Sequence, residues 1–240
     1  MASIVAVLNM KGGAGKSTIA TNLARGLQQA TAGTEAGEAL SENRSVCIVD
    51  ADPQGTALRW DNAKPEDTQG NSPLPPVVSV SLPLNERIPA AAEGFSFAVV
   101  DGAAKAKDRT RQCVQVADAV LIPIRPSGAD LWASEWLVSV VKGRRRQTGT
   151  PAAAFVVSQQ VARTNLAGEI EGVLERYGLP ILDGRTSHRI AYAEALSVGK
   201  TVLDTAPSSK AAAEVRKITA ETLQLLDRAD TDATNNDGDS

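Results

Sequence analysis

Two lysines lie within a glycine-rich stretch near the start of the chain, "NMKGGAGKST". Gly15, Lys16 and Ser17 match the second half of the phosphate-binding pattern G-x-x-x-x-G-K-[ST]. Met10 replaces the first glycine of that pattern, and an additional lysine, Lys11, follows it. In such a loop the backbone N–H groups turn toward an anion, a lysine reaches the terminal phosphates and a hydroxyl ligates Mg²⁺. The stretch therefore predicts a phosphate site of an unusual kind.

Three aspartates follow apolar runs elsewhere in the sequence. "VCIVDADPQG" contains Asp50 and Asp52, and "FAVVDGA" contains Asp101. Ligands of open α/β sheets bind beyond the carboxyl ends of the strands, so we expect these carboxylates on the same edge as the glycine-rich loop. A single aspartate of this kind could be a solvated turn residue, but three together favour a site that handles a metal and a water molecule.

Short apolar runs alternate with helical patterns along the chain, and these elements must position the site. The strand candidates are residues 3–9, 45–52, 77–80, 95–102, 118–124 and 152–158, and the helix candidates are 17–30, 130–146, 164–177 and 208–228. This alternation predicts an α/β fold, with one domain built on a mostly parallel, twisted sheet that helices cover on both faces.

We place the domain at residues 1–228 and a disordered acidic tail at 229–240. The polar stretch 31–44 reads as a loop. The tail carries four aspartates and no basic residue, and its removal changes the formal net charge from −3 to +1.

Composition excludes several classes of protein. A net charge of −3 argues against a generally basic DNA-binding protein, and with 3% aromatic residues any nucleic-acid binding would depend on charge more than on base stacking. No signal peptide and no apolar run of about 20 residues is present. The two cysteines, Cys47 and Cys113, form no C-x-x-C motif and fit a reducing cytoplasm.

Four sequence motifs resemble those of one family. "KGGAGKST", "DADPQG", "VVDGA" and "AYAEALSVGKTVLD" at 191–204 are similar to the motifs of the ParA/MinD-type deviant Walker A ATPases. The resemblance covers about residues 1–228 and is greatest to the short ParA partition ATPases. It implies a P-loop NTPase fold of the deviant Walker A type, with ATP and Mg²⁺ as cofactors.

The resemblance also implies roles for individual residues. Lys11 would reach the phosphates bound by a partner subunit, and Lys16 would hold those of its own subunit. Asp52 would orient the attacking water, while Ser17 and Asp101 would hold the metal. The implied nucleotide-binding residues are Lys11, Gly12, Gly13, Ala14, Gly15, Lys16, Ser17 and Thr18.

At the level of the whole protein, the resemblance implies an ATPase that forms a homodimer with ATP and binds nonspecific DNA of the nucleoid in the cytoplasm. It would position a plasmid, a chromosome region or a protein organelle, and a ParB-like or cargo-adaptor protein would stimulate hydrolysis. The implied DNA-binding residues are Arg185, Arg189, Lys200, Lys210, Arg216 and Lys217. The run Arg144–Arg146 is a second basic cluster, and its position at a helix C-terminus explains it equally well.

Three alternatives make different demands on the sequence. A MinD-like membrane ATPase needs a basic amphipathic C-terminus, whereas this one is acidic, so we expect no stable membrane association. An iron–sulfur relative needs paired cysteines. A binding module without catalysis would not need its lysines and aspartates.

Loops near Pro123, Pro126 and 158–160 correspond to places where the family contacts adenine. We expect His188 to be structural.

Overall fold

A computed structural model of the chain describes residues 1–32, 46–65, 74–161 and 172–236. The loop expected at 31–44 therefore lies largely outside the described residues, as do most of the helix expected at 164–177 and the last four residues. Within the described part of that helix region, Glu175–Tyr177 form a 3-10 turn.

Six strands form one fully parallel sheet, as the sequence predicts. They are β1 (Ser3–Val7), β2 (Val46–Asp50), β3 (Val77–Ser79), β4 (Phe97–Asp101), β5 (Ala119–Ile124) and β6 (Ala152–Val157). Their order in the sheet is β3-β2-β4-β1-β5-β6. Asp101 at the end of β4 is level with Val7 of β1 and with Asp50 of β2. This register brings the loop after β1 and both aspartate-bearing strand ends to one edge.

Helices cover both faces of the sheet. They are α1 (Lys16–Thr31), α2 (Thr56–Asn62), α3 (Leu84–Ala91), α4 (Lys107–Val116), α5 (Gly128–Thr148), α6 (Ile190–Ser197), α7 (Val202–Thr205) and α8 (Lys210–Asn236). Alternate residues of β1 separate the two core layers, because Ala6 packs with α3, α4 and α5 while Val5 packs with α1, α2 and α8. None of the helices in the described ranges is apolar over a length that would cross a membrane.

The strand predictions are confirmed with ends one or two residues shorter. The helices at 56–62, 84–91, 107–116, 190–197 and 202–205 were not among the helix candidates, because helices of ten residues or fewer carry little periodic signal. Helix α8 continues to Asn236, whereas the sequence pattern ended it at 228 and assigned the residues after that to a disordered tail. The chain has neither glycine nor proline between 229 and Gly238, so nothing in the backbone stops the helix there.

Residues Gly199 to Val202, which belong to the fourth sequence motif, join α2 to α1. The indole N–H of Trp60 in α2 donates to the carbonyl of Lys200 at 2.9 Å. Asn22 of α1 accepts a hydrogen bond from the backbone N–H of Val202 at 3.1 Å, and Arg25 pairs with Asp204 at 2.8 Å. This motif therefore acts as a structural clamp between the helix that follows the phosphate loop and the helix that follows Asp52.

Replacement of Gly199 by alanine should destabilise the protein, because Gly199 has φ +64° and an added Cβ would lie 2.4 Å from the backbone nitrogen of Lys64. We expect a loss of about 3 kcal/mol in the free energy of unfolding, measured by urea denaturation. Gly143 is the matched control, since it lies within α5 with no atom near an added Cβ. Gly143→Ala should stabilise by roughly 0.5–1 kcal/mol. Equal effects of the two substitutions would contradict this account.

Candidate functional site

The glycine-rich loop adopts a turn that leads directly into α1. Gly13 has φ +75° and Gly15 has φ +87°, both in the left-handed region that favours glycine. Helix α1 begins at Lys16, so its free N–H groups and positive dipole end face the loop. The ammonium of Lys16 donates to the carbonyl of Lys11 at 3.2 Å, across the loop. The loop thus has the geometry of an anion cradle, with one lysine folded over it.

Side chains from neighbouring strands hold the loop in place. Asn9 accepts a hydrogen bond from the N–H of Lys11 at 2.8 Å and donates to the carbonyl of Pro123 at 2.6 Å. At the end of β6, Ser158 donates to the carbonyl of Ala14 at 2.8 Å and Gln159 donates to that of Gly13 at 2.9 Å. From the sequence, 158–160, Pro123 and Pro126 were matched to places where the family contacts adenine; in the structure Ser158, Gln159 and the carbonyl of Pro123 hold the phosphate loop and its flank.

Asp101 is fully buried beside the loop. Among the described residues, neither of its carboxylate oxygens has a hydrogen-bond partner of good geometry. The pKa of Asp101 is raised to about 7: burial is the main cause and the neighbouring charges of Asp50 and Asp52 add to it, whereas the hydroxyl of Ser17 and the charge of Lys16 oppose it. Two unsatisfied carboxylate oxygens close to a hydroxyl are a fit for Mg²⁺, which prefers hard oxygen ligands.

The protein contributes few of the ligands that such a metal would need. In the described ranges no group of three or more His, Cys, Asp or Glu side chains could hold a metal ion. Mg²⁺ usually keeps several waters and binds through one or two protein groups plus substrate phosphates. Ser17 and Asp101, the two residues assigned to the metal from sequence, fit this pattern.

The two aspartates after β2 differ in their availability. Asp50 is buried and accepts backbone hydrogen bonds from Asp52 at 3.1 Å and from Leu58 at 2.9 Å, so it fixes the turn and caps the start of α2. Burial raises the pKa of Asp50, while these hydrogen bonds lower it. Asp52 is half-buried and accepts only the N–H of Gln54 at 3.0 Å through one oxygen. Of the two, Asp52 is placed to act on a substrate.

Lys16 lies close enough to Asp101 and Asp52 for their charges to act on it. Lys16 is buried, and burial lowers its pKa, while the charges of Asp101 and Asp52 raise it. Burial therefore disfavours the charged form of Lys16, and the two carboxylates favour it. Bound phosphates would add negative charge at the place where the lysine charge is least solvated.

Lys11 has a different environment from Lys16, which the sequence did not reveal. Its ammonium forms an ion pair with Asp130, a fully buried carboxylate in the first turn of α5. Asp130 also accepts the Nε–H of Arg125 at 2.9 Å. Burial acts to raise the pKa of Asp130, but the hydrogen bonds from Lys11 and Arg125 outweigh it and hold the pKa below its ordinary value. An aspartate in a first helical turn is so common that its sequence position carried no signal.

The remaining assigned loop residues lie where the sequence placed them. Gly12 and Gly13 are exposed at the loop tip, Ala14 is buried beneath it, and Thr18 is half-buried in the first turn of α1. Both cysteines are buried and free, and burial raises the pKa of the Cys47 and Cys113 thiols to about 12. Both are therefore neutral thiols at ordinary pH.

The six assigned DNA-binding residues fall into two groups. Lys200, Lys210 and Arg216 are exposed. Arg189 instead pairs with Glu214 at 2.7 Å, and Glu214 also accepts hydrogen bonds from Ser187 and Tyr192. Lys217 pairs with Asp183 at 3.3 Å on the surface, and Arg185 donates to the carbonyl of that aspartate at 3.2 Å. Arg189 thus has a structural role, while the first group is free to meet a polyanion.

The sequence of this chain is similar to those of known nucleotide-binding proteins. Residues 5–203 match the family described as the CobQ/CobB/MinD/ParA nucleotide-binding domain. The maintenance of carboxysome distribution protein A of Halothiobacillus neapolitanus is 31% identical over 91% of this chain and 95% of its own. The chromosome-partitioning ATPase Soj of Thermus thermophilus is 25% identical over 94% of this chain and 97% of its own.

A solved structure confirms the fold. The septum site-determining protein MinD of Pyrococcus horikoshii, complexed with Mg-ADP, superposes with a TM-score of 0.69. The match covers 95% of this chain and 99% of that one at 19% identity. At that identity the likeness is one of fold, and it confirms the predicted architecture of a parallel sheet between helices.

Asp101 should make the stability of the ligand-free protein depend on pH. Its pKa is about 7 in the folded state against an ordinary value of 3.8, so the folded state holds the proton more tightly. The free energy of unfolding should therefore fall as the pH rises from about 4 to 7. Asp101→Asn removes this loss and should exceed wild type by roughly 2–4 kcal/mol at pH 8, with a difference that shrinks toward pH 4.

Urea denaturation at both pH values measures this difference. Asp108→Asn is the control, because that carboxylate lies exposed on α4 and should show no such pH dependence. An Asp101→Asn difference that is the same at pH 4 and pH 8 would contradict the assignment.

Proposed function

The chain belongs to the CobQ/CobB/MinD/ParA nucleotide-binding family, and from that premise we propose that it is a Mg²⁺-dependent ATPase that positions cargo over DNA. It forms a homodimer with ATP, and the dimer binds nonspecific DNA. A partner protein stimulates an otherwise slow hydrolysis. Two relatives support this proposal, since one is a carboxysome distribution protein and the other a chromosome-partitioning ATPase.

The observation that supports the proposal is that the loop contains two lysines with different contacts. Of these two, only Lys16 contacts the phosphate loop of its own subunit through its ammonium. Lys16 folds over the loop, while the ammonium of Lys11 pairs with Asp130 of another element. A second lysine is not needed for binding in a single subunit. It is needed if a transition state in a neighbouring subunit must be stabilised, because phosphoryl transfer spreads negative charge over the transferred group. We therefore assign Lys11 to act across a dimer.

Within one subunit the residues divide the work of hydrolysis. The loop N–H groups and Lys16 bind the phosphates, and burial keeps that cation poorly solvated, which strengthens its interaction with them. Ser17 and Asp101 would hold Mg²⁺, which neutralises the charge that develops on the phosphates. Asp52 is fixed through one oxygen by the N–H of Gln54, and we assign its other oxygen to the attacking water.

Of the two relatives, the one with the higher sequence identity to this chain gives the better indication of the cargo. That relative covers almost the whole of both chains and distributes carboxysomes, which are protein organelles. We therefore place a protein organelle ahead of a plasmid or a chromosome region as the cargo. The expected location is the nucleoid in the cytoplasm.

DNA binding is assigned to exposed cations on the α8 side of the sheet. Lys210 and Arg216 lie exposed on α8, and Lys200 lies in the clamp that precedes it. Lys217 lies on the same helix and forms ion pairs with Asp183 at 3.3 Å and with Glu221 at 3.9 Å, and such surface pairs contribute little to stability. Such cations contact phosphates without reading bases, so the binding is independent of DNA sequence and sensitive to salt.

Substitutions at the three acting residues should separate binding from hydrolysis. Lys16→Ala should abolish ATP binding, measured with a fluorescent ATP analogue, because the phosphates lose their buried cation. Lys11→Ala should retain binding but lower hydrolysis by at least about 100-fold, comparable to the loss of one transition-state donor. Asp52→Ala should bind ATP and accumulate as a dimer, measured by light scattering. Wild-type turnover in Asp52→Ala would disprove its water-orienting role, and wild-type turnover in Lys11→Ala would disprove action across a dimer.

A single exposed arginine should change the salt dependence of DNA binding. In the presence of ATP, Arg216→Ala should weaken binding to DNA of any sequence and lower the slope of log affinity against log salt by about 1. Arg87 is the matched control, because it is also an exposed helical arginine but lies on α3 in the opposite layer. Fluorescence anisotropy over a salt series measures both. An equal change in the slope for Arg87→Ala would remove α8 as the DNA surface.

A further inference from the structure

The peptide unit that precedes the side chain of Asp52 is held from both sides. Its N–H, which belongs to Asp52, donates to the carboxylate of Asp50 at 3.1 Å. Its carbonyl, which belongs to Ala51, accepts a guanidinium N–H of Arg109 at 3.2 Å. Ala51 has no exposed surface, so this carbonyl cannot take a hydrogen bond from bulk water instead. Because a peptide unit is planar, the two bonds fix the direction in which the Asp52 side chain departs.

We propose that Arg109 is a positioning residue for hydrolysis, which fixes the direction of the Asp52 carboxylate through the carbonyl of Ala51. This inference rests on the proposed function, in which Asp52 orients the attacking water. The preceding peptide unit is joined to β4, since the N–H of Ala51 donates to the carbonyl of Asp101 at 3.0 Å. The next unit is the first to leave the sheet, and Arg109 of α4 holds it from outside the turn.

Helix α4 is itself joined to the phosphate loop. The N–H of Lys105, just before the helix, donates to the carbonyl of Met10 at 3.0 Å. The thioether sulfur of Met10 also lies 3.7 Å from the hydroxyl oxygen of Thr110. Met10 is the residue that replaces the first glycine of the usual phosphate-binding pattern. Arg109 therefore positions Asp52 relative to the loop that binds the phosphates, and not only relative to the body of the domain.

The backbone before α4 is strained at the point where it meets this loop. Lys105 has φ +56°, in the left-handed region that residues other than glycine rarely adopt. Such a conformation is unfavourable and persists where the surrounding structure holds it. The hydrogen bond from Lys105 to Met10 is one of the contacts that hold it. The start of α4 is thus a fixed bridge between the phosphate loop and the turn that carries Asp52.

Arg109 has the shape and the surroundings for this role. Its side chain is half-buried, and a guanidinium presents its donors in a rigid, planar fork. The ion pair of α4 in the described ranges joins Arg111 to Asp108 at 3.7 Å, and Arg109 takes no part in it. The guanidinium is therefore available to the carbonyl of Ala51.

Loss of this guanidinium should lower kcat without weakening nucleotide binding. The phosphates are bound by the loop and Lys16, whereas Arg109 contacts the turn before Asp52. In the full-length chain, Arg109→Met keeps the aliphatic stem and should lower kcat for Mg-ATP about tenfold, with KM changed less than about twofold. Arg109→Lys keeps a cationic donor and should recover most of the loss. Steady-state phosphate release measures both, and a KM that rises as kcat falls would contradict a role in positioning.

Arg111 is the matched control on the same helix. It is exposed, pairs with Asp108 at 3.7 Å and lies over the ring of Trp136 at 5.5 Å. Arg111→Met removes the same charge from α4 and should leave kcat unchanged. An equal loss of kcat in the two variants would assign the effect to the net charge of the helix and overturn the proposal.

A measurement without nucleotide tests the geometry directly. In the ligand-free chain, Arg109→Met should speed the amide hydrogen exchange of Asp52 about tenfold, because that N–H belongs to the released peptide unit. The amides of Val99 and Val100, inside β4, should exchange at wild-type rates. NMR spectroscopy resolves these amides one by one. Equal acceleration at all three would indicate a general loss of stability and would also overturn the proposal.

A second substitution shows whether Arg109 acts through Asp52. In an Asp52→Ala background, Arg109→Met should cause no further loss of the residual hydrolysis, measured in a single turnover with labelled ATP. A further loss would give Arg109 a direct part in the reaction and rule out a role in positioning alone.

The outcomes distinguish this inference from the function on which it rests. If wild type hydrolyses ATP and Arg109→Met does so with the same kcat, only the role of Arg109 is disproved. If wild type hydrolyses no ATP, the proposed function is disproved and this inference with it. Should Arg109→Met lose its cooperative unfolding transition, Arg109→Ala decides in its place, with the same expected loss of kcat.

Discussion

The candidate phosphate site is built around a buried carboxylate whose oxygens have no hydrogen-bond partner of good geometry among the described residues. Asp101 is fully buried, its oxygens lack well-formed hydrogen bonds among the described residues, and its pKa rises to about 7. A folded domain tolerates such a group only when other contacts outweigh it. Here the parallel strands around β4 supply those contacts. A metal ion with bound phosphates would give this carboxylate partners that the described residues do not supply.

The same constraint explains why so many neighbouring groups hold the loop by its backbone. Asn9, Ser158 and Gln159 come from the ends of different strands, and they fix the loop in the shape of an anion cradle before any anion binds. Fixing the donors in advance lowers the reorganisation needed when charge develops in the transition state. Asp50 does the same for the turn that carries Asp52, because both of its oxygens accept backbone N–H groups.

The two lysines of this loop have different surroundings. Lys16 lies among carboxylates that belong to the site, while Lys11 is paired with a carboxylate that belongs to another helix. The clamp made by residues 199–204 then connects the helices that follow the loop and Asp52 to the start of α8. The helix after the phosphate loop, the helix after Asp52 and the start of α8 are thus joined through short, well-packed connections.

The sequence by itself predicted the parallel sheet, the glycine-rich loop and the carboxylates at the strand ends. Apolar runs and glycines are local signals, and the requirement that parallel strands end at one edge placed Asp52 and Asp101 beside Lys16. It did not determine that Asp50 is structural, that Arg189 is committed to Glu214, or that Lys11 is paired with Asp130. Each of these depends on contacts between residues far apart in the chain or on opposite sides of a turn. Only the packing of the helices on the sheet decides which carboxylate a given cation meets.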